Sequence, residues 1–137
     1  MIRRYLLDTG IAQDFQEDRN GVRDRAIAER NSGHRVGICV PVLGELWSGV
    51  ECSASRERNL RSLRQAVLWW TLWPYTEDAA AEFGRIFAEL KRAGRRIQQV
   101  DMQIGAIACT LPHCIVVSKD SDLRSITGLT VENWAAR

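Results

Sequence analysis

The sequence predicts a three-layer α/β/α sandwich with a mostly parallel central sheet, formed by one domain over residues 1–137. Three observations lead there. Tyr5-Leu6-Leu7, Val36–Val40 and His113–Val117 are short apolar runs without alternation, the pattern of strands buried on both faces. Segments with apolar residues at three- and four-residue steps separate them, and strands alternating with helices build parallel sheets. A chain of 137 residues is also long enough to bury a real core, and no repeat, low-complexity tract or linker divides it.

The first strand ends in Asp8-Thr9, both favoured helix caps, and Ile11, Ala12 and Phe15 keep helical spacing behind them. Asn20-Gly21 marks a turn. Good helix formers run from Val22 to Arg30, and Asn31-Ser32-Gly33 stops them. Pro41 closes the second strand and suits a first helical turn, where its missing N–H costs nothing. That helix carries Val42, Leu43, Leu46, Trp47 and Val50, with Glu45 among them. Ser53 or Ser55 is the expected cap of a long helix through Leu60, Leu63, Val67 and Leu68.

This helix runs into Trp69-Trp70-Thr71-Leu72-Trp73-Pro74, which reads as core or subunit interface in preference to a platform for stacking bases. Leu72–Tyr75 is expected as a short third strand. Thr76 caps the next helix, with Glu77 and Asp78 placed to favour its dipole. Ala80, Phe83, Phe87 and Leu90 make that helix amphipathic, and Gly94 ends it. Asp101 opens a helix of small and apolar residues, Ile104 to Leu111, suited to close packing against a sheet. The strand His113–Val117 then runs into Ser118-Lys119-Asp120-Ser121-Asp122, and Leu129–Trp134 supplies a short edge strand.

The formal charge of +2 describes no general polycation, so any nucleic-acid binding requires a local basic face. Four cysteines lack C-x-x-C spacing; Cys39, Cys109 and Cys114 lie in apolar surroundings and read as small core residues in a reducing compartment. No charged-then-apolar leader opens the sequence, and no apolar run approaches the ~18 residues of a membrane span. The expectation is a cytoplasmic protein without membrane contact.

Carboxylates recur where strands and helices meet loops. On a parallel sheet, Asp8, Asp120 and Asp122 emerge from strand ends on one rim, where open α/β sheets place ligands. Glu45 and Asp101 lie near helix beginnings and can face the same crevice. Each has a plain alternative: Asp8 and Asp101 as caps, Glu45 as an ordinary edge position. Clustered carboxylates repel and raise one another's pKa, and a divalent cation removes that penalty. Oxygen ligation without His or Cys points to Mg²⁺ or Mn²⁺. Such an ion keeps waters, one of which can supply the nucleophile for in-line attack on a phosphodiester.

With these features the chain resembles the PIN domain family, most closely the VapC-type toxins of bacterial toxin–antitoxin pairs. The resemblance spans essentially the whole chain. It rests on Leu6-Leu7-Asp8-Thr9, on Pro41 to Val50, on Asp101-Met102-Gln103-Ile104-Gly105-Ala106, on Val117 to Leu123, and on Val131-Glu132-Asn133-Trp134. It implies a Mg²⁺- or Mn²⁺-dependent endoribonuclease that acts on RNA, forms a homodimer or a hetero-oligomer, and is inhibited by an antitoxin protein. It carries over Asp8, Glu45, Asp101 and Asp120 as metal ligands, Asp122 as an auxiliary acid, and Thr9 and Ser118 as hydroxyls that hold the ligands. Three residues depart from the family pattern: Gly10 where many relatives have Asn, Lys119 where Asn or Arg is common, and Leu123 for Phe. For phosphate contact on either side of the scissile bond, the expected residues are Arg92, Arg95 and Arg96, clustered with Lys91, and Lys119 beside Asp120.

Two other readings compete. Leu-Leu-Asp-Thr-Gly also occurs in retroviral-type aspartic proteases, but that fold is all-β and needs a glycine-rich flap where Glu77–Gly94 is helical by period. The second is a PIN-like RNA-binding module without catalysis, against which the presence of all four ligand positions argues.

Overall fold

The computed structural model describes residues 1–135, so the last two positions of the expected 1–137 domain lie outside the described residues. The elements run β1 (Arg4–Leu7), α1 (Thr9–Gln16), α2 (Val22–Asn31), β2 (Arg35–Cys39), α3 (Val40–Glu51), α4 (Arg56–Trp69), β3 (Thr71–Trp73), α5 (Glu77–Arg92), α6 (Gln99–Cys109), β4 (Cys114–Val117), a single 3-10 turn (Ser121–Ser125) and β5 (Thr130–Glu132). The five strands form one sheet in the order β3-β2-β1-β4-β5, and every pairing is parallel. This is the three-layer α/β/α arrangement expected. An all-parallel sheet, with a helix where a protease flap is needed, excludes the aspartic protease reading.

The strand order explains where a site can form. From β1 the chain steps outward through β2 to β3, then jumps back across both to β4. Right-handed crossovers put the helices of that return connection on the opposite face. Accordingly α1 packs against α2, α3 and α4, whereas α5 and α6 pack on one another and α6 on β4. β1 and β4 are therefore neighbours whose connections leave in opposite directions, the switch point at which doubly wound sheets open a crevice. Tyr5, Leu6 and Leu7 are fully buried, as a strand covered on both faces requires.

Element edges differ from expectation for local reasons. β2 stops at Cys39, and Val40 already belongs to the helix whose first turn Pro41 favours. β3 ends at Trp73 because Pro74 has no N–H to continue a ladder. Neither serine caps α4 through its side chain; the Ser53 hydroxyl instead accepts from the Ser55 N–H and the Asn59 amide. α6 begins at Gln99, so Asp101 lies in its first turn and does not cap it. Its Gly105 faces Ile126 and Leu129 of the β4–β5 connection. Leu68 points away from the core at 88% exposure, and Cys109 is exposed too. Cys39 and Cys114 follow the core reading, with burial pushing their thiols up to about 11 and about 12.

The tryptophan cluster is packing. Trp70 and Trp73 are 5% and 7% exposed, so neither offers a face to a base. Trp69 is half-buried against Phe15, with the Arg30 guanidinium 4.6 Å above its ring. Trp73→Ala is expected to lower stability by ~3–5 kcal/mol, the usual cost of truncating a buried aromatic, as read by denaturant unfolding.

Candidate metal centre

Leu7 pairs with Val117, so the next residues, Asp8 and Ser118, leave adjacent strands side by side. The Asp8 N–H extends this ladder by one bond, to the Val117 carbonyl at 3.0 Å. The Asp8 carboxylate does two jobs. Oδ1 accepts from the Ile11 N–H at 2.9 Å, capping α1, while Oδ2 accepts from the Ser118 hydroxyl at 2.5 Å. The capping role and the site role are thus compatible. Each oxygen keeps a lone pair beyond the bond it accepts.

Ser118 links the two strand ends. Its oxygen also accepts from the Asp120 N–H at 2.9 Å. Asp120 in turn accepts from the Asp122 N–H at 2.9 Å and opens the 3-10 turn, which buried Leu123 anchors. This turn brings Asp122 back toward Asp101 in the first turn of α6. Asp101, Asp120 and Asp122 offer carboxylate oxygens that all lie within 4.8 Å of one another. Asp122, carried over only as an auxiliary acid, is therefore part of the tightest group. Asp8 and Glu45 stand outside that trio. Glu45, on α3, accepts from the Thr9 hydroxyl at 2.5 Å, so both expected hydroxyls hold a carboxylate.

The electrostatics show the strain of this arrangement. The Asp101 carboxyl is pushed up to about 6 by burial first, then by the charges of Asp120, Asp8, Glu45 and Asp122. All four of these acids thus act on Asp101 as one crevice. Burial also raises Asp8, against the hydrogen bonds from Ser118 and Ile11 and the charge of Lys119. A donor set of carboxylate oxygens with uncompensated charge fits a hard divalent cation such as Mg²⁺ or Mn²⁺.

The basic residues divide. Lys91, Arg95 and Arg96 line a groove of about 520 Å³ with Phe87, Ile97 and Met102, the neighbour of Asp101. Arg92, the last residue of α5, does not line this groove. The Lys119 ammonium lies 2.9 Å from Asp14 Oδ2, so it is ion-paired, which its position beside Asp120 did not suggest. Asp14 is only 1% exposed and belongs to no expected site. A clue was available: it sits between Ile11 and Phe15 on the buried face of α1, a charge as out of place as Glu45 on its own helix. A Cβ at Gly10 would lie 3.8 Å from both Asp8 Oδ1 and Lys119 Cε, an ordinary contact, so the backbone does not itself demand glycine there.

Comparison with known proteins bears on the chain as a whole. Ribonuclease VapC2 of Haemophilus influenzae is 29% identical over 133 residues, covering 96% of this chain and 98% of the relative. The DNA-bound VapBC structure from Salmonella typhimurium superposes with a TM-score of 0.87 at 27% identity, covering 98% of this chain and 99% of that one. VapBC2 of Rickettsia felis, bound to a promoter DNA fragment, gives a TM-score of 0.88 at 22% identity over 96% of this chain and 98% of that one, a likeness of fold. A family model described as PIN domain matches residues 5–129, a span that contains all five crevice carboxylates, and the chain belongs to the PIN domain family.

Proposed function

We propose that this chain is the toxin nuclease of a VapBC-type pair: a cytoplasmic, divalent-cation-dependent endoribonuclease formed by a single domain over residues 1–137. A cognate antitoxin holds it in check, and it assembles as a homodimer or as a hetero-oligomer with that antitoxin. The observation that carries this reading is the trio of Asp101, Asp120 and Asp122 within 4.8 Å on the rim where β1 and β4 end. Asp120 also caps the 3-10 turn, but that cap calls for neither Asp101 nor Asp122 beside it. Among the described residues no helix is long and apolar enough to cross a membrane.

In this reading Asp8, Glu45, Asp101 and Asp120 hold Mg²⁺ or Mn²⁺, with Asp122 as auxiliary acid. Ser118 and Thr9 orient Asp8 and Glu45 through their hydroxyls. When bound, the cation supplies charge neutralisation and an activated water for in-line attack at phosphorus. Lys91, Arg95 and Arg96 take phosphates on the Asp101 side, with Arg92 at their margin, and Lys119 does so on the Asp120 side. Loading the site requires Asp101 to give up its proton, so cation affinity rises with pH through about 6.

The test is cleavage of single-stranded RNA by the purified protein. Added Mg²⁺ or Mn²⁺ is expected to switch cleavage on, and EDTA to abolish it. Metal-independent cleavage, or none with either ion, contradicts the reading.

A further inference from the structure

Asp14 lies in the second turn of α1 and is met by three donor side chains. Its Oδ1 faces the Arg19 guanidinium at 3.3 Å, while Oδ2 takes the Lys119 ammonium at 2.9 Å and the Asn20 amide at 3.2 Å. The turn after α1, with Asp18, Asn20 and Gly21 at positive φ, folds Arg19 and Asn20 back onto it. Burial works against the charge on Asp14, but the bonds from Lys119 and Asn20 and the charges of Lys119 and Arg19 outweigh it and hold the carboxyl below its usual range.

Lys119 starts from the β4 rim, directly between Ser118 and Asp120, and its chain passes Gly10 on the way to Asp14. An ammonium rooted there without a tether has the acidic crevice beside it: Asp120 is the next residue, and Asp8 already feels the Lys119 charge. It would pair with them and occupy the space a cation needs. The buried Asp14 carboxylate holds it instead, while the Lys119 side chain stays 45% exposed.

We propose that Asp14 is a positioning residue that tethers Lys119 outside the acidic crevice, keeping the crevice open to a divalent cation and the ammonium at the rim for an RNA phosphate. The inference rests on the metal-dependent RNA reading of the site.

The experiment is calorimetric titration of Mn²⁺ into the full chain and into D14N, K119M and the double variant, with thermal melts beside it. D14N is expected to weaken Mn²⁺ binding about tenfold, within the range for groups that orient a metal site. The double variant is expected to recover, because the competing ammonium is gone. That recovery is what a merely structural role of Asp14 would not produce. Wild-type affinity in D14N, or a defect that persists in the double variant, overturns the proposal. K119M is tested independently of whether D14N folds. Its binding of an uncleavable single-stranded RNA is expected to lose about 0.7 from the slope of log affinity against log salt, and an unchanged slope also overturns it. If the wild-type chain binds no Mn²⁺ and cuts no RNA, the functional reading falls and this inference with it. A wild type that binds and cuts, with unaffected variants, removes the tether alone.

Discussion

Asp101→Asn is expected to abolish RNA cleavage while leaving the metal-free protein at least as stable as the wild type. The two halves of this result have one cause. Asp101 is the acid on which burial and four neighbouring carboxylates converge, which raises its carboxyl to about 6. The folded chain therefore holds this proton more tightly than the unfolded chain, whose aspartate titrates near 3.8. The stability this contributes is full below about pH 4 and is lost as pH rises through about 6, so at neutral pH the wild type carries the penalty. The full linkage amounts to about 3 kcal/mol. Asp101 is partly exposed, and solvent screening brings this to about 1 kcal/mol. Asparagine removes that penalty and, with it, an anionic oxygen of the trio. Groups that merely orient a ligand cost 10–100-fold when removed, so loss of the ligand should exceed about 100-fold. Single-turnover cleavage and a thermal melt in EDTA check both halves, and a variant that cuts normally refutes the assignment.

Gly37→Ala should show the opposite separation, a damaged fold with an intact site. Gly37 sits in β2 opposite Thr71 of β3. A Cβ there would fall 1.8 Å from the Thr71 carbonyl oxygen and 2.6 Å from its carbon, both backbone atoms that no rotamer change can move. β3 must shift, and as a three-residue edge strand it is the part that gives way. Trp73 then loses its cover. Overpacking of this kind costs about 3 kcal/mol or more, with a red-shifted tryptophan emission in the folded protein. The crevice draws on the ends of β1 and β4 and on α3 and α6, and none of its carboxylates lies on β3, so the folded fraction should still cleave RNA at low temperature. Unchanged stability would mean that β2 and β3 pair more loosely than this register implies.

What was legible in the sequence was local. Apolar runs that end in Asp8 and in Ser118-Lys119-Asp120 are complete within a few residues, and they carried both the parallel sheet and the rim of the site. Thr9 and Ser118 came from the family resemblance alone, because the carboxylates they bond, Glu45 and Asp8, lie 36 and 110 positions away. Less legible was whatever depends on a fold-back or on distant pairing. Asp122 joins Asp101 only because a 3-10 turn reverses the chain after Asp120. The ion pair of Asp14 with Lys119 spans 105 positions, and nothing in either segment announces the other. Leu68 fits a helical apolar stripe by spacing, yet it faces outward because α4 turns Leu63 and Ala66 to the core. The tryptophans were ambiguous by composition alone, and burial decided them.

The central claim is that the carboxylates of this rim act together as one cation site. Calorimetric titration of Mn²⁺ into the purified chain at pH 7, repeated at pH 5 and with Asp101→Asn, tests it most directly. Saturable binding at pH 7, weakened at pH 5 where Asp101 holds its proton and lost in the variant, is the expected result. No binding by the wild type at pH 7, or equal binding by Asp101→Asn, would contradict it.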